Sequence, residues 1–229
     1  MASSGVTAYT YTRDQIINAA LRKLAVLGSG VSADSTQLST GAEALNLLVL
    51  QYQALGMPLW SRKVKTTTLV SGTSSYTLSS PKPLKIFQAY FTDATTSERR
   101  DIMLVPDYDF TLYPPLATGS VVSCTYQPKV GNGTLKVWPT PDSGMAVGST
   151  LSLIYQAEFE VFTAGSETPD FPQEWYSALV YGLAVSLAPE YGISPQDVSA
   201  VEKQAEKLLN TTLSMGMEDG SVYFSPNWE

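Results

Sequence analysis

Apolar residues recur at helical spacing toward both ends of the chain and at alternating spacing between them. The alternating runs, separated by Gly, Pro and Ser, fill residues 63–156 and are typical of strands and turns. The pattern predicts an α+β fold in which residues 1–62 and 157–229 form a helical bundle. We expect the inserted segment 63–156 to be an antiparallel β-sandwich or a barrel-like sheet of about seven strands.

Four helices are predicted from capping residues and apolar stripes. Their expected first residues or caps are Thr12, Thr40, Pro172 and Ser194. Thr12 and Thr40 each precede a Gln or Glu by three positions, which is the spacing of a capping box. The first helix should end at Gly28, because glycine commonly terminates helices. One or two further helical turns are expected after Pro106.

Strands are predicted wherever the alternating runs are bounded by turn residues. The seven candidates are residues 64–70, 76–78, 84–91, 99–104, 121–127, 135–138 and 151–155. The segment Gly131-Asn132-Gly133 lacks the Lys-Ser or Lys-Thr pair of a phosphate-binding loop. We therefore interpret it as the turn of a β-hairpin.

Two of the helices provide candidate residues for contacts between subunits. In the second helix Leu47 and Leu50 belong to an apolar set that covers more than one face, so either the chain's own core or a second subunit could cover it. In the fourth helix Val201 and Leu208 lie in a heptad-like repeat. We take these four residues as candidate subunit-interface residues.

The chain offers little for catalysis, since it contains no histidine and one cysteine. Histidine-dependent triads and zinc sites that need imidazole are thereby excluded. Asp107 and Asp109 have a spacing that suits a divalent cation or a carboxylate-dependent hydrolase, but acids after a helix-starting proline also stabilise the helix dipole, which we favour. Cys124 falls on one face of a predicted strand, as a core thiol does. We predict no enzyme activity, no cofactor and no metal.

Charge excludes further classes of function. With a net charge of −7, the chain lacks the basic surface that a nucleic-acid-binding protein needs. The local basic residues of the β segment, Arg62, Lys63, Lys65, Lys82 and Lys85, are interpreted as charges that protect sheet edges. The most apolar window, residues 175–188, is too short to span a bilayer, and residues 1–11 lack the pattern of a secretion signal, so no membrane association is expected.

The C-terminal segment is unusually aromatic for a chain end. Tyr223, Phe224 and Trp228 lie among Gly, Ser, Pro and Asn. A disordered tail rarely carries so many aromatic residues. The segment could fold back onto its own helices or dock onto another protein, and we favour docking.

Several stretches resemble the head-to-tail adaptor proteins of bacteriophages. They are residues 12–21, 137–142, 153–155, 170–179 and 187–192. The stretch Asp170-Phe171-Pro172-Gln173-Glu174-Trp175, continued by Leu187-Ala188-Pro189-Glu190-Tyr191-Gly192, is similar to adaptors of podovirus-type tails, the tail tubular protein A class.

This resemblance implies a virion structural protein, made in the cytoplasm of the host bacterium. Twelve copies would form a ring that joins the portal protein to the tail nozzle protein. DNA would pass through the channel during ejection without specific binding. A C-terminal segment would engage the portal, and its candidate portal-binding residues are Met215, Met217, Val222, Tyr223, Phe224 and Trp228.

The sequence also leaves room for a different class of function. The β segment could be a carbohydrate- or receptor-binding module of a phage tail, with aromatic rings that stack on sugars. Tyr113, Tyr126 and Trp138 are the candidate residues for that alternative.

Overall fold

The computed structural model describes residues 5, 8–55, 59–79, 81–146 and 148–216. Contacts between them divide the chain into two compact units. The first, here called the helical unit, takes residues up to Trp60 and from Phe159 onward, and the second, the β unit, is Ser61–Glu158. The protein is α+β, as the hydrophobic pattern predicts.

Six helices are described, four of them long. In chain order they are α1 (Arg13–Lys23), α2 (Ser35–Leu55), α3 (Asp107–Phe110), α4 (Ser143–Ala146), α5 (Tyr176–Leu187) and α6 (Pro195–Met215). The 3-10 turn Gln173–Trp175 leads directly into α5. In the helical unit α5 contacts α1, α2 and α6. The short helix α3 confirms the helical segment predicted after Pro106.

Capping side chains fix the starts of α1 and α6 where the sequence predicts them. The Thr12 hydroxyl accepts a hydrogen bond from the Gln15 N–H at 3.4 Å, and Gln15 Oε1 accepts one from the Thr12 N–H at 3.0 Å. Ser194 Oγ accepts from the Asp197 N–H at 3.4 Å, with proline at the first helical position.

Two predicted helix boundaries are wrong. Helix α2 begins at Ser35 and not at Thr40, because Asp34 and Gln37 cap it reciprocally. Asp34 Oδ1 accepts from the Gln37 N–H at 2.8 Å, and Gln37 Oε1 accepts from the Asp34 N–H at 3.1 Å. Helix α1 ends at Lys23, short of Gly28, since Ala25 adopts φ 58° and turns the chain.

The core of the helical unit lies where α1, α2 and α5 meet. Its fully buried aliphatic residues include Ile16, Ile17, Leu21, Leu45, Leu179, Leu183 and Leu187. Two glycines permit the close packing: a Cβ at Gly41 would collide with Ile17, and a Cβ at Gly182 would collide with the Tyr52 hydroxyl. Trp60, Phe159, Phe171 and Trp175 add an aromatic cluster, with ring centroids 4.9–6.1 Å apart.

The β unit contains nine described strands. They are β1 (Arg62–Thr68), β2 (Ser75–Leu78), β3 (Lys85–Thr92), β4 (Arg99–Leu104), β5 (Thr118–Gly119), β6 (Ser123–Pro128), β7 (Gly133–Trp138), β8 (Thr140–Pro141) and β9 (Thr150–Gln156). Seven of them form one curled sheet in the order β1-β9-β3-β4-β6-β7-β2, and β5 pairs separately with β8. Each of the seven predicted strands corresponds to a strand of the large sheet.

The predicted module is an antiparallel sandwich or a barrel-like sheet. The single curled sheet agrees with the barrel-like alternative. The sandwich is wrong, and so is the all-antiparallel pairing, because the sheet is mixed. Strands β4 and β6 pair in parallel, with Met103 opposite Ser123 and Leu104 opposite Cys124. A parallel pair needs a crossover, which the eighteen residues between Leu104 and Ser123 provide, including α3. The hairpin around Gly131 is confirmed, since β6 and β7 pair antiparallel.

Candidate interaction site

Helix α2 presents a row of apolar residues to solvent. Leu45, Leu48, Val49 and Tyr52 pack into the core of the helical unit. On the opposite face Leu47 is 68% exposed and Leu50 is 46% exposed, and Ala54 and Leu55 are also exposed at the end of the helix, one to two turns further along. We call Leu47, Leu50, Ala54 and Leu55 the α2 row. Such a continuous apolar row marks a surface that another molecule can cover.

The two candidate interface residues of α6 lie differently. Val201 is half-buried and packs against the core of the helical unit, and Leu208 is half-buried too. In α6 the buried positions are Val198 and Thr212. Val201 and Leu208 therefore lie at the edge of the buried face of α6, where part of each side chain stays exposed.

The candidate portal-binding residues fall mainly beyond the described chain. Met215 is exposed at the last turn of α6, and Gly216 follows it as the C-cap. The other five residues, Met217, Val222, Tyr223, Phe224 and Trp228, lie outside the described residues. The structure therefore fixes only where their segment begins.

The helical unit also contains an open groove that the sequence does not predict. Its volume is about 540 Å³, and its lining includes Tyr9, Tyr11, Arg22, Lys23, Tyr176 and Tyr181. Tyr11 and Tyr176 stack with centroids 6.1 Å apart, and Lys23 Nζ lies 5.1 Å from the Tyr181 centroid. The alternation of Tyr9 and Tyr11 just before the α1 cap was the available signal. The tyrosines of α5 provide no such signal, because their spacing in the sequence is the same as that of core residues. We call this the tyrosine groove.

The aromatic residues proposed for sugar stacking are engaged within the β unit. Tyr113 stacks on Trp138 with ring centroids 4.5 Å apart, and Trp138 Nε1 donates to the Pro114 carbonyl at 2.8 Å. The Tyr126 hydroxyl donates to the Pro83 carbonyl, and burial raises the pKa of Tyr126 to about 12. Each of these rings thus has an intramolecular structural role, and one face each of Tyr113 and Trp138 is covered.

The carboxylates and the cysteine occupy ordinary structural positions. Asp107 and Asp109 lie on the surface in α3, and Asp107 Oδ1 accepts from Gln127 Nε2 at 2.5 Å. No group of three or more potential metal ligands occurs among the described residues. Cys124 is fully buried, and burial raises its pKa to about 12, so the neutral thiol is strongly favoured at neutral pH.

Strand β1 is an edge of the large sheet, and it carries three of the five local basic residues: Arg62, Lys63 and Lys65. Their place on an edge strand agrees with the edge-protecting interpretation, and the protective role of these three residues stays a prediction. The interpretation is wrong for Lys85, which lies on the interior strand β3, and for Lys82, which is in a loop and pairs with Glu158 at 3.3 Å.

Within the described part of the chain, none of the helices is long and apolar enough to cross a bilayer.

A family model described as SU10 adaptor protein matches residues 11–227. The matched range extends over all of the β unit and most of the helical unit, and it includes both candidate helices, α2 and α6. No curated protein matches the chain.

Proposed function

The chain belongs to the SU10 adaptor protein family, and from this premise we propose that it is a head-to-tail adaptor that forms a ring between portal protein and tail nozzle protein. Adaptors of this phage family are structural virion proteins that partner with other head and tail proteins. The match over residues 11–227 is the observation that carries the proposal. The role is mechanical and non-enzymatic.

Ring formation requires two different surfaces on each copy, because a closed head-to-tail ring uses heterologous contacts. The α2 row supplies one surface through Leu47 and Leu50. The border of α6 with Val201 and Leu208 supplies the second. Full burial of one exposed leucine side chain contributes about 1.5–3 kcal/mol, so covering these residues favours the contact between neighbouring copies.

The two compact units correspond to two folding domains in this proposal. Residues 1–62 and 157–229 form the helical domain, and residues 63–156 form the inserted domain. The separate cores support this division, since the buried residues of the helical unit and of the β unit form two distinct clusters.

The C-terminal segment docks onto the portal in this account. It begins at the exposed Met215 and continues through Met217, Val222, Tyr223 and Phe224 to Trp228. Its docking surface is complete only after the portal ring has formed, so the portal assembles first and adaptor copies follow. The net charge of −7 lets DNA slide through the finished channel without specific binding.

The direct test mixes the full chain with the assembled portal ring of the same phage and measures the mass of the complex by light scattering. A complex that contains about one adaptor copy per portal subunit is expected. A chain that ends at Gly216 should bind the portal at least ten-fold more weakly. Undiminished binding of the shortened chain would contradict the assignment of the segment, and no binding by the full chain would contradict the adaptor function.

A further inference from the structure

The tyrosine groove has aromatic walls and a basic rim. Residues before α1 form one wall, because the Tyr9 N–H donates to Gln173 Oε1 at 3.1 Å and so ties that segment to the turn before α5. Tyr176, Ser177 and Tyr181 of α5 form the other wall. An open groove lined with tyrosine rings and hydroxyls suits an aromatic peptide, since Tyr offers a large apolar face together with a polar tip.

Two cations at the end of α1 give the groove its charge. Arg22 and Lys23 are both exposed in the last turn of that helix. Among the residues that the structure describes, neither forms an ion pair with a carboxylate, and the recorded partner of the Lys23 ammonium is the Tyr181 ring. The charge and the lining of the groove therefore complement an occupant that carries negative charge and aromatic rings.

Residues 217–229 of the same chain have this composition. They contain three acids, Glu218, Asp219 and Glu229, and no lysine or arginine. Their aromatic residues are Tyr223, Phe224 and Trp228. Residues 1–7 at the other end contain neither a charged nor an aromatic side chain, so they do not complement the groove.

The point where α6 ends puts this segment within reach. Only residues 188–194 connect α5 to α6, and so short a connection makes the two helices antiparallel. Helix α6 is nine residues longer than α5, so its last residues pass the start of α5 by about 13.5 Å. The turn Gln173–Trp175 lies at that same end and contacts α6. Thirteen extended residues span up to about 43 Å, which is ample.

We propose that the tyrosine groove is the docking site of the chain's own residues 217–229 in the isolated subunit. The acids face Arg22 and Lys23, and the aromatic side chains lie against Tyr9, Tyr11 and Tyr176. The portal contact uses the same segment at a later stage, which is the one respect in which this inference rests on the proposed function. The docking itself needs no portal, so the two proposals fail independently.

Hydrogen exchange of the full, isolated chain tests the docking without any partner. We expect amide protection in residues 217–229 that falls at least five-fold in the double variant Arg22→Gln plus Lys23→Gln. The matched control is Lys203→Gln plus Lys207→Gln, which removes the same charge from exposed positions of α6 and should leave the protection unchanged. Equal protection in both variants overturns the proposal.

A cysteine pair identifies the occupant. Ser177→Cys in the groove combined with Ser225→Cys in the segment should form a disulfide within one chain under mild oxidation, and the native Cys124 does not interfere because it is fully buried. A cross-link between two chains would overturn the proposal in favour of a second copy. Absence of any cross-link would overturn it in favour of a groove for a different partner.

Discussion

The helical unit and the β unit differ in where their exposed apolar residues lie. On the helical unit an ordered row on one helix stays uncovered, with Leu47 and Leu50 on the solvent side of α2. On the β unit the exposed leucines, Leu112 and Leu116, lie in the connection between α3 and β5, and the edge strand β1 carries basic side chains. A regular helical row can pack against a neighbouring copy, whereas a charged edge resists pairing. The comparison supports the proposal that neighbouring copies assemble through the helical unit.

The largest effect is expected from the core of the helical unit. Leu183→Ala removes a fully buried side chain of α5 and should lower the free energy of unfolding by about 2–5 kcal/mol. Chemical denaturation followed by circular dichroism measures it. Leu153→Ala, equally buried in the β unit, is the matched change. If the two units have separate cores, Leu183→Ala should shift mainly the unfolding of the helical signal and Leu153→Ala mainly that of the strand signal. Identical shifts of both signals in each variant would contradict separate cores.

A close helix contact gives the next prediction. Gly182→Ala should destabilise the helical unit by about 1–3 kcal/mol, because the added Cβ would collide with the hydroxyl of the buried Tyr52, which donates to the Ala178 carbonyl. Gly144→Ala is the control, since the nearest atom to its Cβ, an Asp142 oxygen, is 3.5 Å away. Thermal unfolding compares them. A stable Gly182 variant would show that α2 and α5 do not pack this closely.

A smaller effect is expected at the start of α6. Ser194→Ala removes the oxygen that accepts the Asp197 N–H and should cost about 1 kcal/mol. Asn210→Ala, at an exposed position within the same helix, should cost less than about 0.5 kcal/mol. Equal losses for the two variants in urea denaturation would mean that the cap does not stabilise α6.

The buried thiol yields a prediction about reactivity and pH. Burial raises the pKa of Cys124 from 9.0 to about 12, so the thiol should resist alkylation at pH 8 until the β unit unfolds. The stabilising contribution of the neutral thiol is complete below pH 9 and is lost as the pH rises toward 12. Mass spectrometry after alkylation of the folded chain provides the check, and rapid labelling would contradict this burial.

The same two units show what the sequence can and cannot predict. Local signals were sufficient for the starts of α1 and α6, since the partners in each cap lie three residues apart. The start of α2 is also encoded locally, by Asp34 and Gln37, but Thr40 and Glu43 have the same spacing and therefore predict a false start further along the helix. Strand positions followed from alternation, but the parallel pairing of β4 with β6 joins residues about twenty positions apart, and no local pattern encodes it.

The candidate sites divide along the same line. The exposure of Leu47 and Leu50 agrees with the two-sided apolar pattern of α2, although their role as interface residues stays a prediction. The tyrosine groove could be found only in the folded structure, because Tyr9, Lys23 and Tyr181 come together only where α1 packs beside α5. Residues far apart in sequence give no joint signal in a single chain.

We propose that neighbouring copies join on the portal through the α2 row and not through the β unit. The most direct test measures the mass of portal complexes formed by Leu47→Glu plus Leu50→Glu and by Leu112→Glu plus Leu116→Glu, two pairs of exposed leucines given the same charge change. We expect the β-unit pair to give full rings and the α2 pair to leave the portal without a ring, with both isolated chains as stable as the parent to within about 0.5 kcal/mol. Full rings from the α2 pair would contradict the account.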